Sequence, residues 1–285
     1  MTRFDPFQPV DYLIIGHITQ DLTPEGPMLG GTASYAALTA RALGLKVGLV
    51  TAFPAEIPLT ELTGVSIARH PAEFATTFEN IQTPAGRIQF IHHRAPTLTA
   101  EMVPEAWRSA PVVHLGPVAN EVDPELPLAF PNALIGFTPQ GWLRDWDDDG
   151  RVSFRFWPEA QHIIRSAGAT VLSIEDLCYD EQKIDELIQE TRLLVVTEGH
   201  QGARLFWNGD VRRFRPCQME EVDPTGAGDI FATAFFYRLS TTNDPWEAAR
   251  FATLLASQAV TRLGLHGVPT REEVVWATIE ILSKS

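Results

Sequence analysis

The sequence predicts an α/β fold of three layers, α/β/α, with a mostly parallel central sheet and a small β lid. Two observations predict the layers: short apolar runs alternate with longer helical patterns along the chain, and most of these runs are continuously apolar. Parallel strands covered by helices on both faces need such continuous runs. A third observation predicts the lid, because one stretch near residues 75–95 breaks the alternation with two consecutive extended segments.

Six apolar runs are predicted as buried strands, and six segments with a helical pattern lie between or after them. The predicted strands are Tyr12–Gly16, Val47–Phe53, Val112–Leu115, Ala133–Phe137, Thr170–Ile174 and Leu193–Thr197. The predicted helices are Thr32–Leu43, Ala160–Ala167, Glu181–Thr191, Gly226–Arg238, Trp246–Leu263 and Arg271–Leu282. Strands and helices in this order form crossovers that place helices on both faces of a parallel sheet.

The segments Thr76–Ile81 and Arg87–His92 flank a Thr-Pro-Ala-Gly sequence and are predicted to form a hairpin. We expect this hairpin to project beside residues 22–30. No internal repeat, low-complexity tract or Ser/Gly-rich linker interrupts the chain. Residues 1–285 are therefore predicted to form one domain, with a lid from about 22–30 and 75–95, in preference to two independent domains.

The chain is acidic: 22 Lys and Arg residues against 36 Asp and Glu residues give 285 residues a formal charge of −14. Since no basic cluster offsets this charge, we expect neither a nucleic acid nor a membrane surface as a partner. The two cysteines, Cys178 and Cys217, form neither a disulfide framework nor a zinc-like pattern. No apolar run approaches the ~20 residues of a membrane span. A cytoplasmic location is the expectation that fits these features.

The most informative segment is Asp-Pro-Thr-Gly-Ala-Gly-Asp at residues 223–229, directly before an apolar helical pattern. The amides of Gly226, Ala227 and Gly228 would lie at a helix N-terminus, where they can form an anion cradle. Asp229 would lie in the first turn, where the helix dipole favours its ionised form and keeps it available as a base. An anion cradle beside a carboxylate suits phosphoryl transfer. The alternative is an ordinary helix start in which the aspartate only complements the dipole.

These seven residues closely resemble the signature of the ribokinase-like (PfkB) family of carbohydrate and nucleoside kinases. The resemblance extends over nearly the whole chain and implies a ribokinase-like fold and transfer of the γ-phosphoryl group of ATP to a hydroxyl, with magnesium. It implies that Asp229 is the general base and that the amides of Gly226, Ala227 and Gly228 stabilise the transferring group. It also implies that Thr225 contacts the nucleotide, and it allows a monovalent cation near Asp223.

Family features of the acceptor site occur near the N-terminus. Asp21 follows Gly16 by five residues, as does the family aspartate that binds substrate hydroxyls, and Gly30-Gly31 opens a helix as the family's paired glycines do. The resemblance therefore assigns Asp21, Gly30 and Gly31 to substrate binding. Tyr35 stands where the family usually has an asparagine that holds the substrate. An aromatic hydroxyl there indicates a changed pocket, so the acceptor cannot be copied from ribokinase or fructokinase.

Two further motifs resemble the family's nucleotide side. Ser173-Ile-Glu-Asp176 occupies the place of an Asn-x-x-Glu motif that organises magnesium and its waters. By this resemblance Ser173 lies at the nucleotide and Asp176 holds magnesium through water, although Ser and Asp are also common helix caps. The pattern of Thr197, Gly199 and Gly202 resembles a Thr-x-Gly-x-x-Gly turn that lines the nucleotide phosphates.

The segment 138–144 also follows a predicted strand. Its position could bring Gln140 and Arg144 near the site, where an arginine would help to neutralise phosphate charge.

The resemblance implies an ATP-dependent kinase of a small sugar or polyol. The stretches Gly-Gly-Thr-Ala-Ser-Tyr and Gln-Gly-Trp-Leu-Arg look like the inositol-kinase branch, so a cyclic polyol such as myo-inositol is the first candidate acceptor. One alternative is a nucleoside kinase of the same family. Another is a non-catalytic sensor that binds sugar or nucleotide, which the altered residues Tyr35 and Ser173 suggest. The resemblance also allows a homodimer formed through the lid.

Overall fold

The computed structural model describes residues 7–24, 26–83, 86–155 and 160–279, and it confirms the predicted α/β fold. The described strands are β1 (Tyr12–Ile15), β2 (Thr19–Thr23), β3 (Gly26–Gly30), β4 (Val47–Phe53), β5 (Ser66–Pro71), β6 (Thr76–Thr83), β7 (Gly86–His93), β8 (Val112–Leu115), β9 (Leu134–Phe137), β10 (Arg144–Trp146), β11 (Val152–Phe154), β12 (Ala169–Ser173), β13 (Leu193–Thr197), β14 (Ala203–Trp207) and β15 (Asp210–Phe214). The α-helices are α1 (Thr32–Ala42), α2 (Ala160–Ser166), α3 (Glu181–Glu190), α4 (Ala227–Thr242), α5 (Pro245–Ala259) and α6 (Arg271–Ile279).

The central sheet has nine strands in the order β15-β14-β13-β12-β9-β8-β1-β4-β5. The strands from β13 to β5 are parallel to one another, while β14 and β15 add an antiparallel hairpin at one edge. All six predicted strands lie in this sheet. The β14–β15 hairpin was not predicted, although its turn, Asn208-Gly209, is a strong hairpin signal and both residues have a positive φ.

Side chains of β1 show why its run is continuously apolar. Tyr12 and Ile14 pack into the core beneath α1, α4 and α5, whereas Leu13 and Ile15 pack on the opposite face around Trp107. Because both faces of the strand are buried, every position is apolar. The helices α2 and α3 cover the second face further along the sheet, over β12 and β13. These contacts confirm the three layers.

The second sheet contains four strands in the order β3-β2-β6-β7 and includes the predicted hairpin. Residues 84 and 85 of the hairpin turn lie outside the described residues. The strand β2 pairs with β6 in parallel, which joins residues 19–30 to the hairpin. At the base of this sheet the Thr76 hydroxyl lies 2.8 Å from His17 Nδ1 and accepts a hydrogen bond from the amide of Ala95 at 3.1 Å. We call these four strands the lid.

The carboxyl ends of the parallel strands meet at one edge of the central sheet. The chain leaves this edge after β1 toward the lid, after β9 toward β10, and after β12 and β13 toward short turns. In open α/β sheets this edge is where ligands bind. Among the described helices, none is long and apolar enough to cross a membrane.

Candidate functional site

A cavity of about 990 Å³ lies at the carboxyl edge of the sheet, between the lid and the N-terminus of α4. It brings together residues from the lid, from α1 and α4, and from the turns after β12 and β13. Every residue assigned to the site from the sequence except Gly30 lines it. Those residues are Asp21, Gly31, Tyr35, Ser173, Asp176, Thr197, Gly199, Gly202, Thr225, Gly226, Ala227, Gly228 and Asp229.

The cradle at the start of α4 is formed by backbone. Gly226 precedes the helix with φ of 78°, and its carbonyl accepts the first bond of the helix from Ile230 at 2.9 Å. The amide of Ala227 donates to the carbonyl of Pro224 at 3.2 Å. Within the described part of the chain, the amides of Gly226 and Gly228 have no hydrogen-bond acceptor. The cradle predicted from three amides therefore has two that are ready to bind an anion.

Tyr35 lies directly against this cradle. A methyl group at Gly226 would collide with the Tyr35 ring, so glycine is required there by the contact as well as by the backbone angle. The ring is 3% exposed and comes from the first turn of α1. Burial raises the pKa of the Tyr35 hydroxyl, and the nearby carboxylates of Asp229, Asp223 and Asp21 raise it further. The neutral hydroxyl can thus both donate and accept hydrogen bonds inside the cavity.

Asp229 lies in the first turn of α4 and faces the cavity. Burial raises the pKa of its carboxyl to about 6; a hydrogen bond with the Thr32 side chain and the charge of Arg144 oppose this rise, whereas Asp176 and Asp21 add to it. A carboxylate with this pKa is ionised at neutral pH and is a stronger base than an exposed aspartate. The surroundings therefore suit proton abstraction.

Asp21 lies on the lid strand β2, and the hydroxyl of Thr19 donates to its Oδ1 at 3.1 Å. Gly30 packs behind it, where a side chain would strike the Asp21 carboxylate. Gly31 has φ of 84° and approaches the carbonyl of His17. The paired glycines thus let the start of α1 approach β2 closely. Both glycines allow this close packing within the protein. Of the two, only Gly31 also lines the cavity.

The lid adds polar and aromatic groups that were not assigned from the sequence. Phe78 and Asn80 lie two residues apart on β6 and so share the face that lines the cavity. Gln89, opposite Asn80 on β7, donates from its side-chain amide to Asn80 Oδ1 at 2.9 Å. The sequence does contain a signal for these two residues, because side chains alternate between the two faces of a strand and residues 78 and 80 of the predicted hairpin therefore share one face.

Asp176 is a helix cap in this structure. Its Oδ2 accepts from the amide of Ser173 at 3.0 Å, and the Ser173 hydroxyl accepts from the amide of Glu175 at 3.2 Å, which together form a capping box. The side chain of Gln140 donates to Asp176 Oδ1 at 3.0 Å. The structure therefore shows the capping alternative and also places Asp176 at the cavity. The exposed Glu175, which was not assigned from the sequence, lines the cavity as well.

The turn from Thr197 to Gly202 connects β13 to β14, and it is closed by a hydrogen bond from the amide of Glu198 to the carbonyl of Gly202 at 2.7 Å. The Glu198 carboxylate forms ion pairs with Arg204 at 2.7 Å and Arg213 at 2.9 Å. These contacts hold the turn in place at the wall of the cavity. The adjoining wall contains the apolar side chains of Cys217, Met219, Ala256 and Val260 together with polar ones, among them those of Gln218, Thr253 and Ser257.

Asp223, at the start of the seven-residue string, accepts hydrogen bonds from the amides of Thr225 at 2.9 Å and Gly264 at 2.8 Å. Partial burial raises its pKa, but the hydrogen bonds from Thr225 and Gly264 outweigh this effect and bring the pKa below the usual value. The loop before α4 is thereby tied to the segment that follows α5. Among the described residues, no three His, Cys, Asp or Glu side chains are grouped so that they could hold a metal ion.

Comparison with known proteins agrees with this geometry. Residues 160–271, which include Ser173, the Thr197 turn and the α4 cradle, match the model of the pfkB family carbohydrate kinases. A cytidine kinase of Thermococcus kodakarensis is 26% identical over 90% of this chain and 98% of its own length. An inositol 3-kinase of Oryza sativa is 37% identical over 93 residues, which cover 32% of this chain and 23% of that protein.

The fold is also shared over nearly its full extent. A pyrophosphate-dependent kinase in the ribokinase family, solved with a pyrophosphate analogue and myo-inositol, superposes with a TM-score of 0.75 at 19% identity, over 93% of this chain and 99% of its own. At this identity the likeness establishes the fold. The family match over residues 160–271 and the shared fold of the described chain make the protein similar to the ribokinase-like (PfkB) kinases, which are phosphotransferases that act on hydroxyl groups.

Proposed function

We propose that the protein transfers the γ-phosphoryl group of ATP to a hydroxyl of a small sugar or polyol, with a cyclic polyol such as myo-inositol as the first candidate. One observation carries the proposal: Asp229, with a pKa raised to about 6, lies beside the open amides of the α4 cradle in a cavity that also contains Asp21. A base, an anion cradle and a hydroxyl-binding carboxylate in one cavity are the parts that this transfer needs.

In the proposed reaction Asp229 accepts the proton of the acceptor hydroxyl while the hydroxyl oxygen forms a bond to the γ-phosphorus. The bond from that phosphorus to the bridging oxygen breaks, and ADP leaves with the electron pair. The amides of Gly226 and Gly228 stabilise the negative charge of the moving group, with the amide of Ala227 as a third, already shared donor. Asp21 orients the acceptor, and the Thr32 side chain holds the Asp229 carboxylate.

The part of the cavity that we assign to the phosphoryl donor, around Thr225 and the Thr197 turn, favours ATP. Thr225 and the Thr197 turn, with Gly199 and Gly202, present backbone and hydroxyl groups suited to phosphates, and Ser173 lies on the same wall. Beyond them, the wall from Cys217 to Val260 contains apolar side chains. A base ring could pack on these apolar side chains, which supports a nucleotide as the donor.

Magnesium fits this site chiefly through the nucleotide. Both oxygens of Asp176 already accept hydrogen bonds, so Asp176 would act on the metal through water, and Glu175 would supply a second carboxylate near it. The metal, when bound, neutralises charge on the nucleotide phosphates. Asp223, whose two carboxylate oxygens accept from the amides of Thr225 and Gly264, is the residue that would hold a monovalent cation.

The part of the cavity beside the lid, which we assign to the acceptor, favours a polyol as the acceptor. A nucleoside is the second candidate. Thr19, Asp21, Asn80 and Gln89 place polar groups around the acceptor space, which suits a ring with hydroxyls on every side. Similarity to the cytidine kinase over nearly the full length of both proteins favours the nucleoside.

We further propose that residues 1–285 act as one domain and that the exposed apolar lid residues Leu22, Met28 and Ile81 form a homodimer contact. Light scattering of the wild type against Leu22→Lys tests this contact, and a wild-type monomer at micromolar concentration would contradict it.

A coupled assay of ADP release across myo-inositol, other polyols, sugars and nucleosides tests the function. We expect turnover with ATP and magnesium, fastest with a cyclic polyol, and none with pyrophosphate in a matched phosphate-release assay. The same assay with and without magnesium tests whether turnover depends on magnesium. Its repetition with sodium or potassium tests whether turnover depends on a monovalent cation. Binding of an acceptor or ATP without turnover for any acceptor would instead establish a sensor.

A further inference from the structure

Arg144 is held between the lid and the central sheet at the acceptor end of the cavity. Its Nη1 donates to the carbonyl of Val118 at 3.1 Å, and its guanidinium lies 5.5 Å from the centre of the Phe78 ring on the lid strand β6. The side-chain amide of Asn120 donates to the carbonyl of Arg144 at 2.7 Å. The guanidinium is therefore positioned by the Val118 carbonyl and the Phe78 ring, two residues of one packed cluster, while the Asn120 bond holds the backbone of Arg144.

The charge of Arg144 acts on the reacting part of the cavity. The carboxylates of Asp21 and Asp176 lie close enough to Asp229 to raise its pKa, and Arg144 is the cation that opposes them. A phosphoryl group that moves toward the acceptor adds further negative charge to this region. Without a cation such a group would be repelled by the carboxylates.

The other arginines at the cavity lie elsewhere. Arg213 belongs to β15, at the edge of the sheet, where it pairs with Glu198, and Arg215 follows the same strand. Both are near the turn that we assign to the donor. Among the described cavity residues, Arg144 is the arginine whose charge acts on Asp229.

We propose that Arg144 is a catalytic residue that contacts the phosphoryl group during its transfer from donor to acceptor, a role that rests on the proposed kinase function. The planar guanidinium matches the oxygens of a phosphoryl group, and its attachment to the lid through Phe78 couples its position to the covering of the acceptor. Loss of one preorganised donor to a developing charge lowers kcat by about 10²–10³-fold.

The test compares Arg144→Gln, Arg144→Lys and a matched control, Arg69→Gln. Arg69 makes the same kinds of contact as Arg144, since its Nη1 donates to the carbonyl of Phe53 at 3.4 Å and its guanidinium lies 5.8 Å from the Phe53 ring, but it lies outside the cavity. We expect Arg144→Gln to lower kcat by about 10²-fold or more with little change in KM for ATP. Arg144→Lys should recover part of the loss, and Arg69→Gln should leave kcat unchanged.

The pH profile distinguishes a catalytic from a structural role. Asp229 is faced by Asp21 from β2, Asp176 from the turn after β12, Arg144 from β10 and the Thr32 side chain from α1. Since Arg144 favours the ionised form of Asp229, its removal should move the acidic limb of kcat to higher pH. The lysine variant and the Arg69 control should keep the wild-type limb.

A binding measurement keeps the proposal testable apart from turnover. Calorimetric titration of inorganic phosphate into the protein with magnesium and ADP should show affinity weakened about tenfold in Arg144→Gln, with the wild-type value in Arg69→Gln. Equal phosphate affinity in wild type and Arg144→Gln, or a wild-type kcat in that variant, would overturn the role of Arg144. A wild-type protein without turnover on any acceptor would contradict the kinase function, while the phosphate titration would still decide on Arg144.

Discussion

The two ends of the cavity are built in different ways. In the proposed function the transfer end is one contiguous string, residues 223–229, in which backbone amides at a helix terminus would form the anion cradle and Asp229 would be the base. The acceptor end is assembled from β2, from the lid hairpin, from α1 and from the segment after β9, and its side chains face one another only because of the tertiary fold. Chemistry is thus specified locally, whereas acceptor choice is distributed over the chain.

Because of this difference, the two ends can change independently of each other. A cradle of amides needs only glycines and a helix start, so the same local structure would serve different acceptors. The acceptor end can change by single side chains without altering the cradle, and Tyr35 is the exception because it contacts both. Variants at the two ends should therefore affect different kinetic constants.

The largest effect is expected from Asp229→Asn at the transfer end. Loss of the general base should lower kcat by about 10²–10⁴-fold, because the proton of the acceptor hydroxyl has no carboxylate to receive it. The affinity for ATP should change little, which isothermal titration can measure. Turnover near the wild-type rate would show that the base lies elsewhere and would remove the central distinction between the ends.

A pair of glycine variants tests whether the cradle acts through its amides. A methyl group at Gly228 meets no protein atom within 4 Å, so Gly228→Ala should fold normally while it obstructs the anion and lowers kcat by about 10²-fold. Gly226→Ala should instead lower stability by about 1–3 kcal/mol, because of the positive φ and the Tyr35 ring. Thermal unfolding and kinetics measure the two effects, and wild-type kcat in Gly228→Ala would contradict an amide cradle there.

Tyr35 variants sharpen the comparison at the residue that joins the ends. Tyr35→Phe keeps the ring against Gly226 and removes the hydroxyl, so KM for the acceptor should rise by up to about tenfold while KM for ATP stays constant. Tyr35→Ala removes the ring that packs against Gly226. Because this contact helps to position the cradle, the variant should also lower kcat. Tyr237→Phe, on α4 but outside the cavity, is the control. An equal rise of both KM values in Tyr35→Phe would contradict the assignment to the acceptor end.

The smallest effect concerns stability and pH. The pKa of Asp229 is raised from 3.8 to about 6 in the folded protein, so its contribution to stability is present below about pH 4 and is lost as pH rises through 6. Asp229→Asn should therefore be more stable than wild type at pH 7, on the order of 1–3 kcal/mol, with the difference closing near pH 4. Denaturant unfolding at the two pH values measures it. A constant difference would indicate that Asp229 keeps an ordinary pKa.

The sequence predicts those parts of the site that depend on local order. The string 223–229, the strand runs and the hairpin at 76–93 were each readable because composition and periodicity act within a few residues. The pairing of Asn80 with Gln89, the contact of Tyr35 with Gly226 and the position of Arg144 over Phe78 depend on register and packing between distant segments. Periodicity cannot supply these contacts. The β14–β15 hairpin is different, since its Asn208-Gly209 turn is a local signal that lies in the sequence itself.

The base of the lid has a mechanical consequence. The chain passes between the lid and the rest of the fold at four places, and three of them, near His17, Thr76 and Ala95, meet at the Thr76 hydroxyl, which is completely buried. Because β2, β6 and β7 are tied at one common point, we expect the lid to move as a unit by rotation about that point. A small rotation at Thr76 is enlarged with distance along the strands and is greatest at Asn80 and Gln89.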